Sequence, residues 1–110
     1  MLDAGDYRLR QGMLELMAGI ALSRVDGASG VAMRGEGVDE GKKRKNLAKG
    51  IKAEANEGAV TFEVEVHMDY GRDFHEVGRE VQRAVKEAVE SMTGWRVEAV
   101  DVNVTGVNAV

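Results

Sequence analysis

Apolar and polar residues alternate without a break from Val60 to Asp69. Val60, Phe62, Val64, Val66 and Met68 fall on one side, and Thr61, Glu63, Glu65, His67 and Asp69 on the other. Period-two alternation of this length predicts a strand with one face on a core and one face in water. Ile51 to Ala55 alternates in the same way, and Asn56-Glu57-Gly58 between the two runs signals a hairpin, with glycine supplying a positive φ. Past Tyr70-Gly71 the period changes. Phe74, Val77, Val81, Val85, Ala88, Val89 and Met92 form the apolar stripe of a helix. Asp73 is the expected N-cap, with Glu76 completing a capping box. Thr93-Gly94 is the expected stop, with glycine just past the helix end. On the wet side, Arg83 and Glu87, and Lys86 and Glu90, are spaced as i, i+4 ion pairs. A last strand runs from about Trp95 to Val107. Val100, Val102 and Val104 alternate with Asp101, Asn103 and Thr105, while Val97 is out of phase. That break predicts a bulge near Glu98-Ala99.

Upstream, Met13, Leu14, Met17, Ala18, Ala21, Leu22 and Val25 repeat at helical spacing, which predicts a helix over Gln11 to Val25 with a stop at Gly27. Tyr7 to Arg10 alternates and reads either as a short edge strand or as the lead into that helix. Gly30 to Met33 reads as a short strand. Residues 34–50 read as a loop, since Gly35, Gly37 and Gly41 interrupt any regular element. A loop this long in a small domain is usually functional or disordered. The predicted order is α-β-β-β-α-β: a two-layer α+β fold, with a mostly antiparallel sheet of three or four strands and two helices packed on one face. The closing strand–helix–strand unit is expected to cross over right-handed if its strands are parallel.

Composition narrows the classes. The 110 residues fit one domain spanning 1–110. Without cysteine there is no disulfide and no thiolate metal site, which favours an intracellular setting. No apolar run approaches the roughly 20 residues that cross a bilayer, and the N-terminus lacks the pattern of a signal peptide. Any membrane contact is therefore expected to be peripheral or through a partner. The formal net charge of −4 opposes general nucleic-acid binding, yet Lys42, Lys43, Arg44, Lys45 and Lys49 crowd one stretch free of acidic residues.

That basic cluster is the candidate contact for anionic lipid headgroups or RNA, against the plainer reading of a solvated loop. Each Lys or Arg near an anionic membrane is worth about 1 kcal/mol, so the cluster would give weak, salt-sensitive adhesion. On the polar sheet face, His67 and Asp69 are two residues apart and Glu63 and Glu65 form a carboxylate pair. No recognised ligand spacing accompanies them, so the expectation is no metal, no cofactor and no catalytic residue. Arg72, at the start of the second helix, invites an anion, but Asp73 already caps the same amides. Trp95, following the glycine stop, reads as a core plug or an interface anchor. The candidate partner surface is Trp95, Glu63, Glu65 and His67. The exposed edge strand and the apolar Val107-Asn108-Ala109-Val110 tail suit self-association into a homo-oligomer.

One ordered set of residues resembles a known family. It comprises Tyr70-Gly71, Val77, Glu80-Val81-Gln82, Val85-Lys86, Val89-Glu90, Met92-Thr93-Gly94 and Val100-Asp101-Val102-Asn103-Val104-Thr105-Gly106-Val107. Upstream, Arg24-Val25-Asp26-Gly27-Ala28, Gly30-Val31-Ala32-Met33 and Lys49-Gly50-Ile51-Lys52-Ala53 agree. This set is similar to the alkaline shock proteins, the Gls-type envelope stress response family of Gram-positive and related bacteria, from about Leu9 to Val107. The chain departs from the common family pattern in its short, very basic loop at 41–45 and in His75. The resemblance implies a small non-enzymatic cytoplasmic protein at the inner face of the membrane, linked to alkaline or general envelope stress and docked on a small membrane-anchored protein. The alternative is an RNA-binding α/β module gripping phosphates with the basic loop. The acidic sheet face, the lack of stacking aromatics on it and the missing GxxG loop weigh against that alternative.

Overall fold

A computed structural model describes residues 4–31 and 47–109, with side chains of the first helix described from Arg10 onward. The elements are α1 (Ala4–Ser23), β1 (Ala28–Gly30), β2 (Ile51–Asn56), β3 (Ala59–Asp69), α2 (Phe74–Thr93) and β4 (Arg96–Asn108). The basic residues Lys42, Lys43, Arg44 and Lys45, and most of the 34–50 loop, lie outside the described residues. Lys49 is exposed in the turn that leads into β2.

β3 is the spine of the four-stranded sheet. β2 pairs with its first half, antiparallel from Asn56↔Ala59 to Ile51↔Val64, and β1 pairs antiparallel with Val66 to Met68. These two short strands therefore lie end to end along one edge of β3. β4 runs along the whole of the other edge, parallel to β3, from Ala59↔Arg96 to Asp69↔Asn108. The β2–β3 turn carries positive φ at both Glu57 (50°) and Gly58 (79°). That is the primed two-residue geometry whose twist matches the flanking strands.

The core lies between the sheet and the two helices. Val60, Phe62, Val64, Val66 and Met68, the five predicted inward residues of β3, are all buried. From α2, Val77, Val81, Val85 and Val89 face them, and from α1, Leu14, Ala18, Ala21 and Leu22. The cap at Asp73 is present: its carboxylate accepts from the backbone N–H groups of His75 (3.0 Å) and Glu76 (3.1 Å). Gly94 takes the left-handed conformation at φ 74°, and its N–H donates to Glu90 O at 2.9 Å.

Several expectations need correction. Of the two readings of Tyr7 to Arg10 the edge strand falls and the lead into the first helix stands, since α1 starts at Ala4 and not at Gln11. Its first turns carry no apolar stripe, so periodicity gave no sign of them. α1 ends at Ser23, where Arg24 and Val25 close tight turns back onto Ala21 and Leu22. The first strand is Ala28–Gly30, earlier than Gly30 to Met33. Neither expected ion pair on α2 forms. Arg83 instead reaches Glu80 at 3.0 Å, and Glu90 accepts from the backbone of Val97. The bulge at Glu98 is where the valine phase predicted it, and a second register shift follows at Thr105.

Candidate functional site

The sheet's polar face is open. Glu63 and Glu65 are exposed and lie across β3 from Asp101 and Asn103 of β4. On the other side Glu63 is paired with Lys52. His67 is half-buried and lies between Ser29 and Gly106 in the register. A Cβ at Gly106 would come within 2.9 Å of the imidazole, so the absent side chain there makes the seat for the ring. Beyond His67, the Asn108 side chain donates to both Asp69 (2.9 Å) and Ser29 (3.1 Å), tying three strands at one corner. Among the described residues no three His, Asp or Glu side chains stand close enough to share a metal ion. His75, near in sequence, belongs to α2 on the other side of the sheet.

Trp95 is separated from these residues by the thickness of the sheet. It packs half-buried against the core beside α1. With Arg10, Met13, Leu14, Met17 and Thr93 it lines an open apolar concavity of about 260 Å³. The Arg10 guanidinium sits 5.4 Å above the indole centroid, in cation–π range. Met13 is 53% exposed at the rim and Met92, in the last turn of α2, is 70% exposed. Thr93 orients the approach: its hydroxyl donates to Val89 O and accepts from the Trp95 N–H. The residues proposed as one partner surface are thus two surfaces, an acidic sheet face and an apolar seat at Trp95. The second needed Met13, Met17 and Arg10, whose i, i+3 and i, i+4 spacing on α1 was the available signal.

The two flanks of α2 differ over its first turns. On the side toward α1, Glu76 and Glu80 line a shallow cleft with Arg24, Asp26 and Arg72. There Arg72 donates to Asp26 at 3.0 Å, and this hydrogen bond raises the guanidinium pKa further above its ordinary value. On the side toward β4, His75, Arg79 and Gln82 wall a groove of about 330 Å³ floored by Met68, Val102 and Val104, continued by Arg83 and Lys86 beside Val97 to Asp101.

Over residues 2–109 the sequence matches the alkaline shock protein 23 family, described by a cell envelope-related function. The chain belongs to that family. It is similar to the uncharacterized protein Spy1535 of Streptococcus pyogenes, with 28% identity over 106 residues, 96% of this chain and 81% of that one. It is also similar to the uncharacterized protein YqhY of Bacillus subtilis, with 27% identity over 106 residues, 94% of this chain and 77% of that one. Among solved structures, a variant MamM CTD in its zinc form superposes with a TM-score of 0.52 at 16% identity, covering 91% of this chain and 87% of that one. At that identity the likeness concerns the fold alone. No helix among the described residues is long and apolar enough to cross a membrane.

Proposed function

We propose that this alkaline shock protein family member is a non-enzymatic interaction protein of the cell envelope. It works from the cytoplasmic face of the membrane by docking on a small membrane-anchored protein and by associating with further copies of itself. The observation that carries the reading is the apolar seat at Trp95. Exposed Met13 and half-buried Met17 beside a half-buried indole make an adaptable apolar surface of the kind that binds protein side chains. Support for binding over catalysis comes from the burial pattern: among the described residues no polar or charged side chain is buried. Glu63, Glu65 and Asp101 of the sheet face stand exposed, outside any cavity that would enclose a substrate. The basic stretch Lys42, Lys43, Arg44, Lys45 and Lys49 adds salt-sensitive adhesion to anionic headgroups.

The test is affinity purification of the tagged protein from cross-linked native cells, with and without nuclease, alongside Met13→Glu. Recovery of a small membrane protein that survives nuclease and falls with Met13→Glu is the expected result. Recovery dominated by ribosomal proteins or RNA and abolished by nuclease would replace this reading with RNA binding.

A further inference from the structure

The two outer edges of the sheet are finished differently, and the difference leaves one stretch of backbone open. At β2, the backbone N–H of Ala53 donates to Glu15 Oε2 at 3.0 Å and its carbonyl accepts from Gln11 Nε2, so α1 caps both groups. At β4, α2 does the same for the first half of the strand. Glu90 accepts from Val97 N–H at 3.0 Å, and Gln82 donates to Val100 O at 3.0 Å. Beyond Val100 no described side chain caps the outer edge of β4. Strand alternation then carries the outward-pointing backbone groups from Val100 to Val102 and Val104. Downstream of the Thr105 bulge, Asn108 O accepts from Tyr70 N–H at 3.0 Å on the β3 side, so it is Val107 that faces outward again.

This open half lacks the usual protection of an edge. From Val102 to Asn108 there is no charge and no proline. Val104 is 43% exposed and Val107 51%. Alongside lies the groove floored by Met68, Val102 and Val104, whose helical wall carries Arg79: among the described residues Arg79 makes no ion pair, and no acid lines this groove. On a chain of net charge −4 this is a local reversal of sign.

We propose that the Val102–Asn108 edge of β4 binds an extended segment of a protein partner as an added strand. The segment's alternate side chains are apolar and enter the groove over Met68, Val102 and Val104, and its carboxylates face Arg79. Backbone pairing to an open edge supplies affinity and the groove supplies selectivity. Charge decides the occupant. A second copy pairing β4 to β4 about a two-fold axis would bring two unpaired Arg79 side chains toward each other across the seam, whereas an acidic segment neutralises one. The inference rests on the reading of this chain as a protein-binding module, but it uses a surface separate from the Trp95 seat.

The probe is a labelled synthetic peptide in which valine alternates with threonine and glutamate, with a lysine-for-glutamate counterpart, titrated into the full chain. Backbone amide NMR and fluorescence anisotropy give the readout. The expected result is binding of the glutamate peptide, with shifts confined to Val100–Asn108 and the first turns of α2, and several-fold weaker binding of the lysine peptide. Val104→Pro, which removes an outward N–H and no ladder bond, is expected to abolish binding. Arg79→Glu is expected to exchange the preference of the two peptides, which keeps the proposal testable should the proline variant misfold. Equal binding of both peptides, shifts elsewhere, or self-association of the chain lost in Val104→Pro would each overturn it. A membrane partner recovered from cells equally well by Val104→Pro and wild type, and less well by Met13→Glu, would overturn the edge site while leaving the wider reading intact.

Discussion

The β2 edge and the β4 edge face the same physical problem and solve it to different extents. Both expose a row of backbone donors and acceptors, and both lie beside a helix that lends glutamine and glutamate side chains. α1 spends Gln11 and Glu15 on a single residue, Ala53, which is fully buried. α2 spreads Gln82 and Glu90 over Val100 and Val97 and reaches no further. β2 is six residues long with its cap at its middle, while β4 is thirteen residues long and runs eight residues past Val100, the last one capped. Length relative to the neighbouring helix, more than sequence composition, decides which edge stays open.

The sharpest way to break this comparison is to damage what both edges share. Phe62→Ala, at the centre of β3, removes a buried ring paired to Ala53 on one side and to Val100 on the other. A loss of about 3–5 kcal/mol in chemical denaturation is expected, with both edges melting in one transition. Separate transitions would mean that the two halves are energetically independent. Next comes Gly19→Ala. A Cβ at Gly19 would overlap the backbone carbonyl of Leu47, where the chain returns across α1 before β2. A loss of about 1–3 kcal/mol is expected, despite alanine's better helix propensity. A gain in stability would mean that this close approach is not kept in solution.

Glu15→Ala and Gln82→Ala test the caps themselves. Removing Glu15 orphans a buried N–H and is expected to cost about 1–3 kcal/mol, with faster exchange of the Ala53 amide. Removing Gln82 frees a carbonyl at an edge that water reaches, and is expected to cost about 1 kcal/mol or less. Equal costs would erase the distinction between a buried and an open edge. The smallest effect is expected at the open half: Val104→Thr should change stability by no more than about 0.5 kcal/mol, and the Val102 and Val104 amides should exchange well ahead of Ala53. Strong protection at Val104 would show that the edge is covered in solution.

Much of the fold was legible because its signals are local. The alternation of β3, the Asp73 cap, the Gly94 stop and the phase break at Glu98 each need only a few neighbouring residues. The second bulge was legible in principle, since Val104 to Val107 is a spacing of three where the strand pattern demands two. What escaped was either unpatterned or distant. The first two turns of α1 carry no stripe. The edge caps join Gln11 and Glu15 to Ala53 across some forty residues of chain, and nothing in the local sequence of either marks the other. The candidate site divides in the same way. Alternation placed Glu63, Glu65 and His67 on one face, but setting Trp95 on the opposite face depends on how α2 hands the chain to β4.

The parallel pairing of β3 and β4 has a consequence for the order of assembly. β2 and β3 are joined by a two-residue turn and can zip as soon as both exist, whereas β4 meets β3 only after twenty residues of α2 have intervened. Long-range parallel pairing of this kind is slow relative to hairpin closure. During synthesis β3 therefore waits with its valine-rich spine paired on one side only. The exposed charges of α2, made before β4, join those of Lys52, Glu63 and Glu65 in keeping that waiting intermediate from associating.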